Sequence, residues 1–213
     1  FIDERKEYVI ENMYPKRPWM NYLWNEEYIV IMNQFGMGKG RISVENNYQR
    51  DIVRDNDSRL IYVKAEDEIY AVNRNYNNLD FKEFKTIVGM GYSTIISEYK
   101  ELRSELTIFV PHEGKRECWQ LKLTNLSSEK KTFDLYAMAD LDSQLTEHLS
   151  VNAGDFYEEL NGVCFSHYIY DSPTKYHYVH FAADCEVYSY ETAKRRFFGV
   201  YGDPRNPEAI KQE

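Results

Sequence analysis

Only three cysteines, Cys118, Cys164 and Cys185, occur in the 213 residues, an odd number at wide spacing and without a CxxC pair. That pattern argues against a disulfide framework and against a zinc site. Cys118 and Cys164 fall inside strand-like runs, where a small buried hydrophobe is the expected role, and a reducing cytoplasm is the expected setting. Basic charge is also scarce: 26 Lys and Arg stand against 35 Asp and Glu, for a net charge of −9. Lys194-Arg195-Arg196 is too short to track a phosphate backbone, so nucleic acid is not an expected partner. No segment approaches the roughly 18 consecutive apolar residues of a membrane-spanning helix. The start Phe1-Ile2-Asp3 has neither a positive region nor an apolar core, so no signal peptide is expected. It also lacks an initiator Met, which suggests an excised segment. A 3.6-residue apolar period is missing as well; residues 145–149 allow one helical turn at most.

What is present is strand after strand. Aromatic content is 15%, with 19 Tyr, which suits half-buried sheets and also suits surfaces that stack on sugars. The run 28–33 reads as a buried strand. Leu60-Ile61-Tyr62-Val63 and Ile69-Tyr70-Ala71-Val72 flank Glu66-Asp67-Glu68 and predict a hairpin with a solvated tip. Leu106, Ile108 and Val110 alternate with Arg103, Glu105 and Thr107; Trp119, Leu121 and Leu123 alternate with Gln120, Lys122 and Thr124. Phe133, Leu135, Ala137, Ala139 and Leu141 continue the period of two, which assigns them one buried face. Residues 141–156 read as irregular, and 162–170, 176–183 and 197–201 as strands. The fold class is mainly β, a large antiparallel β-sandwich. Residues 1–213 read as a single domain.

No segment carries a clear catalytic constellation. Gly36-Met37-Gly38-Lys39-Gly40 lacks the spacing and the following Ser or Thr of a phosphate loop, and a glycine-rich strand end or bulge is expected. Asp140-Leu141-Asp142 evokes a metal–nucleotide acid pair, but without βαβ alternation it reads as a solvated turn. His167 shares a face with Val163, Phe165 and Ile169, whereas His177 and His180 fall on opposite faces, which disfavours a mutarotase-like acid–base site. Asn125-Leu126-Ser127 and Asn56-Asp57-Ser58 read as turns.

Pro18-Trp19-Met20-Asn21-Tyr22-Leu23 with Glu26, then Gly89-Met90-Gly91-Tyr92-Ser93, resemble stretches of glycoside hydrolase family 94, formerly glycosyltransferase family 36. So do Thr107-Ile108-Phe109-Val110-Pro111, residues 121–125, and Phe198-Gly199-Val200-Tyr201-Gly202. Cellobiose, cellodextrin, laminaribiose and chitobiose phosphorylases make up this family. The resemblance implies an N-terminal β-supersandwich of galactose mutarotase-like type, whose last strands are expected beyond Glu213, normally followed by a helical linker, an (α/α)6 catalytic barrel and a small C-terminal domain. It implies a parent enzyme that phosphorolyses a β-linked disaccharide or oligosaccharide, with inversion, to a sugar 1-phosphate. Inorganic phosphate is then the co-substrate and no other cofactor or metal is implied. The family's catalytic Asp and phosphate site lie in the barrel, so no catalytic residue carries over and this chain alone is expected to be inactive.

The resemblance further implies a scaffold that contacts its own barrel and a second subunit in a homodimer. Candidates for the rim of the sugar site are Asp140, Ser150 and Asn152, where Ser150-Val151-Asn152 stands in place of a Gln-x-Asn element. Trp19 and Trp24 are candidates for carbohydrate stacking; Trp24 occupies a usual Gly position. The rival reading is a free-standing carbohydrate-binding module, and a third is a mutarotase-type epimerase. Burial of Trp19 and Trp119 is expected for a scaffold, and exposed tryptophans for a binding module.

Overall fold

A computed structural model describes residues 1–44, 48–54, 57–66, 68–141, 150–169 and 172–212. The chain divides into two compact units, 1–140 and 141–213, which are described separately. Every strand pairing is antiparallel, as expected for a mainly β chain.

Among the described residues the first unit contains three sheets. A five-stranded sheet has the order β1 (Tyr8–Ile10), β8 (Glu83–Gly89), β9 (Tyr92–Tyr99), β10 (Leu102–Phe109) and β11 (Cys118–Asn125). The alternation of β10 is realised: Leu102, Ser104, Leu106 and Ile108 are buried, while Arg103, Glu105 and Thr107 face outward. On that outer face Arg103 contacts Glu83, Glu98 and Glu105, and the stems of Lys85 and Glu105 flank Ile96, which is only 4% exposed. The opposing layer is formed by two sheets. One is β2 (Met20–Trp24), β3 (Tyr28–Asn33), β4 (Gly38–Val44) and β5 (Tyr48–Val53); the other is β12 (Asp134–Ala139), β6 (Arg59–Ala65) and β7 (Glu68–Ala71). Leu23, Val30 and Met32 from the first are buried, as are Ile95, Leu106 and Ile108 of the five-stranded sheet, and the Tyr70 ring of the second lies 5.1 Å from that of Tyr99. The expected hairpin is β6–β7, closed by Ala65 opposite Glu68.

Arg59 locks the layers together. Its side chain is fully buried and its guanidinium forks onto Glu117, Nε to Oε1 at 2.5 Å and a terminal nitrogen to Oε2 at 2.7 Å. The remaining terminal nitrogen donates to the Gly38 carbonyl at 2.8 Å and to that of Gly36 at 3.3 Å. Glu117 also accepts from the Trp119 indole at 2.7 Å and the Tyr28 hydroxyl at 3.1 Å. Burial alone would raise the Glu117 pKa, but the Arg59 charge and the hydrogen bonds from Arg59, Trp119 and Tyr28 outweigh it and hold the carboxyl below its usual range. Burial drives the Tyr28 hydroxyl up, so it stays a neutral donor.

The glycine run makes the turn into β4 that brings these carbonyls to Arg59. As expected it is a bulge and not a phosphate loop: the β4–β5 register shifts between Gly40 and Arg41. Gly38 has φ +141°, and a Cβ there would lie 2.1 Å from the Ile31 carbonyl oxygen. Asn73 is wholly buried and donates to the carbonyls of Phe35 and Arg59. Asn125 accepts the Ser127 N–H in the expected turn.

Five expectations about local structure are corrected. In β12 the buried face carries Tyr136, Met138 and the adjoining Asp140, while Leu135 is exposed. Register sets Tyr136 opposite Tyr62 and Met138 opposite Leu60, and these larger side chains bury more apolar surface than the alanines would. Asp140 is thus not in a solvated turn; its N–H donates to Ser58 and its carbonyl accepts from Arg54. Trp119 is only half-buried, because β11 is an edge strand. In the second unit, part of the 141–156 run expected to be irregular is β13 (Ser150–Tyr157), which pairs with β14 (Gly162–Ile169), itself paired with β15 (Ser172–Ala182). Residues 197–201 do not form a strand: α1 (Lys194–Phe198) ends in a turn at Gly199, with Phe198 buried. A second short helix, α2 (Glu208–Gln212), packs on α1. Cys164 is buried as expected, Cys118 half-buried and Cys185 exposed.

Glu117→Gln should destabilise the fold by about 3–5 kcal/mol at neutral pH, as expected when a buried partner charge is stranded. Because the Glu117 pKa is depressed by folding, its contribution is fully present above the ordinary value of 4.5 and fades as pH falls below it. Urea midpoints measured from pH 7 to pH 3 should therefore fall less steeply in the variant. Gly38→Ala should cost more than ~3 kcal/mol, since it combines a forbidden φ with a backbone collision; thermal melts would report it.

Candidate functional site

β1 and β2 are edge strands of facing sheets, and a cleft of about 180 Å3 opens between them. One wall is the inner face of the five-stranded sheet: Tyr8, Ile10, Thr86, Val88 and Ser93. Trp19, Met20, Asn21, Asn33 and Gln34 form the other, and among the described residues no charged side chain lines the cleft. Trp19 lies just before β2, where no further strand covers it, and it remains 45% exposed with its ring 5.1 Å from that of Tyr8. The expectation that Trp19 is buried is therefore corrected.

The amides on the floor are fixed by backbone partners. Gln34 Oε1 accepts the Trp19 N–H at 3.1 Å and its Nε2 donates to the Met13 carbonyl at 2.8 Å. Asn21 Nδ2 donates to the Ser93 hydroxyl at 2.9 Å across the two layers, and its Oδ1 accepts the Tyr22 N–H. Asn33 Oδ1 accepts the N–H groups of Phe35 and Met37. Thr86 donates to the Gln34 carbonyl at 2.6 Å. Each amide nitrogen carries two protons and each carbonyl two lone pairs, so the floor keeps capacity for a ligand.

The outer face of β2 presents Tyr22 and Trp24, 57% and 70% exposed, with Met20, 48% exposed, at the strand's start where it also borders the cleft; Leu23 between Tyr22 and Trp24 is buried. Trp24 and Tyr22 stand opposite Ile29 and Ile31 of β3. The two tryptophan candidates thus lie close in sequence but in separate environments, Trp19 at the cleft and Trp24 on the outer face. Asp140 follows β12 in the first unit. Ser150 and Asn152 belong to β13 in the second, opposite Ile169 and His167 in register. His167 is also the register partner of His177. Among the described residues no His, Cys, Asp and Glu group has metal-binding geometry.

Sequence reasoning did not single out Tyr8, Asn21, Gln34 or Ser93. A signal for two of them existed: Asn21 lies in the 18–23 stretch and Ser93 in the 89–93 stretch that carried the resemblance. Their hydrogen bond is where those stretches meet.

Comparison with known proteins places residues 6–213 in the family described as Glycosyl hydrolase 94, supersandwich domain. The chain is 24% identical over 229 residues to a solabiose phosphorylase of Paenibacillus borealis, covering 99% of this chain and 29% of that one. It is 24% identical over 226 residues to an N,N'-diacetylchitobiose phosphorylase of Vibrio furnissii, covering 99% and 28%. It is 25% identical over 221 residues to a 3-O-beta-D-glucopyranosyl-beta-D-glucuronide phosphorylase of Paenibacillus borealis, covering 100% and 28%. The chain spans less than a third of the length of these relatives.

Proposed function

The chain belongs to the glycosyl hydrolase 94 family, as a supersandwich domain, and from that premise we propose that it is the non-catalytic part of a disaccharide phosphorylase. The enzyme would cleave a β-linked disaccharide or oligosaccharide with inorganic phosphate and release a sugar 1-phosphate. The observation that carries this reading is the pattern of coverage: nearly all of this chain aligns with 28–29% of three phosphorylases that differ in substrate. A segment common to enzymes of different specificity fits a scaffold better than a specificity pocket.

The outer row Met20, Tyr22 and Trp24 supports a docking role, since a contiguous apolar face on a sheet marks a contact surface. Its partners would be the enzyme's own catalytic barrel and a second subunit. Asp140, Ser150 and Asn152 remain proposed rim residues of the sugar site. No helix among the described residues is long and apolar enough to cross a membrane.

The reading is tested by assaying the chain and the complete product of its gene with phosphate and N,N'-diacetylchitobiose, solabiose or cellobiose. The complete product should release a sugar 1-phosphate while the 213-residue chain alone releases none. Turnover by the chain alone would overturn its non-catalytic role, and hydrolysis to free sugars by the complete product would overturn the phosphorylase reading.

A further inference from the structure

We propose that the cleft between β1 and β2 binds one neutral pyranose ring, its apolar face on the Trp19 indole and its hydroxyls on the Gln34, Asn21 and Ser93 groups. The inference rests on the cleft and not on the phosphorylase reading, so the two can fail separately. Three properties of the cleft select this ligand class. Its volume of about 180 Å3 is below the ~300–1,000 Å3 of sites that enclose drug-sized molecules, so it admits one ring. Its lining carries no charge, which leaves a phosphorylated or carboxylated ligand without a counter-ion.

Its surface is also two-natured. Trp19 and Tyr8, one from each wall, are 45% and 42% exposed, while Asn21 and Gln34 beside Trp19 and Ser93 on the facing wall bring polar atoms to the lining. A pyranose has the matching division, axial C–H groups on one face and hydroxyls at the rim. The second proton of each amide nitrogen and the second lone pair of each amide oxygen would find no partner on a purely apolar ring, whereas a hydroxylated ligand meets them. The amides are already anchored to Trp19, Met13 and Tyr22, so little side-chain freedom is lost when a sugar enters.

The test is titration of the full chain with methyl β-D-glucoside, N-acetylglucosamine, cellobiose, glucose 6-phosphate and cyclohexanol, followed by calorimetry and by the indole N–H resonances. The neutral sugars should bind saturably in the millimolar range. Trp19→Leu should weaken them about tenfold and Trp24→Leu leave them unchanged. Tighter binding of cellobiose than of the monosaccharide would support the proposal with the end of a saccharide chain as the source, and equal affinity would support it with a free sugar. Absence of saturation would overturn it. So would undiminished binding by Trp19→Leu, an equal loss in Trp24→Leu, or glucose 6-phosphate or cyclohexanol binding as well as the neutral sugars. Should Trp19→Leu not fold, the wild-type spectra decide: a shift of the Trp19 indole N–H on sugar addition supports the site, and an unmoved one overturns it.

Discussion

The buried ion pair between Arg59 and Glu117 is the constraint on which the first unit depends. A charge with no exposed surface is tolerated only when nearly every proton finds an acceptor, and here the acceptors come from distant parts of the chain. Glu117 precedes β11, the Gly36 and Gly38 carbonyls belong to the turn into β4, and Arg59 itself opens β6. Three sheets therefore converge on one guanidinium. Replacing such a pair with hydrocarbon can be neutral for stability, so its value is better understood as geometric. A register slip in β4 or β6 would strand the charge, which penalises the competing arrangements directly.

That constraint also explains why the glycines are where they are. The turn must bring two carbonyls to Arg59 while β4 passes close to β3, and at Gly38 the Ile31 carbonyl occupies the space a Cβ would need. The bulge at Gly40 then restores the pairing of β4 with β5. What resembles a ligand-binding loop in one dimension is a device for satisfying a buried cation.

Beside the edge strands β1 and β2 the layers part. Edge strands have neighbours on one side only, so aromatic residues on β1 and beside β2 stay partly in water, and a cleft forms where polar side chains bridge the layers. Buried amides and hydroxyls there are paired across the gap, Asn21 to Ser93 and Thr86 to the Gln34 carbonyl. Structure and site thus use the same groups: the bonds that hold the layers at a set distance also fix the orientation of the amides in the cleft.

The alternation of Leu106 and Ile108 with Arg103, Glu105 and Thr107 was enough to place β10 with the right face inward, and the acidic tip between two apolar runs was enough to place the β6–β7 hairpin. Both depend on local chemistry, a period of two and a solvated turn, which neighbours in sequence encode. In β12 the same rule misled, because Leu135 with Ala137 and Ala139, and Tyr136 with Met138, are two equally periodic sets; only the register against Tyr62 and Leu60 chooses between them. The short helix at Phe198 was hidden for a similar reason, as five residues are too few to display a helical period. The stretches 18–23 and 89–93 marked the family by themselves. That they meet at a neutral cleft, with Trp19 open to solvent, was decided by tertiary structure, because exposure at an edge depends on which strands are missing beside it.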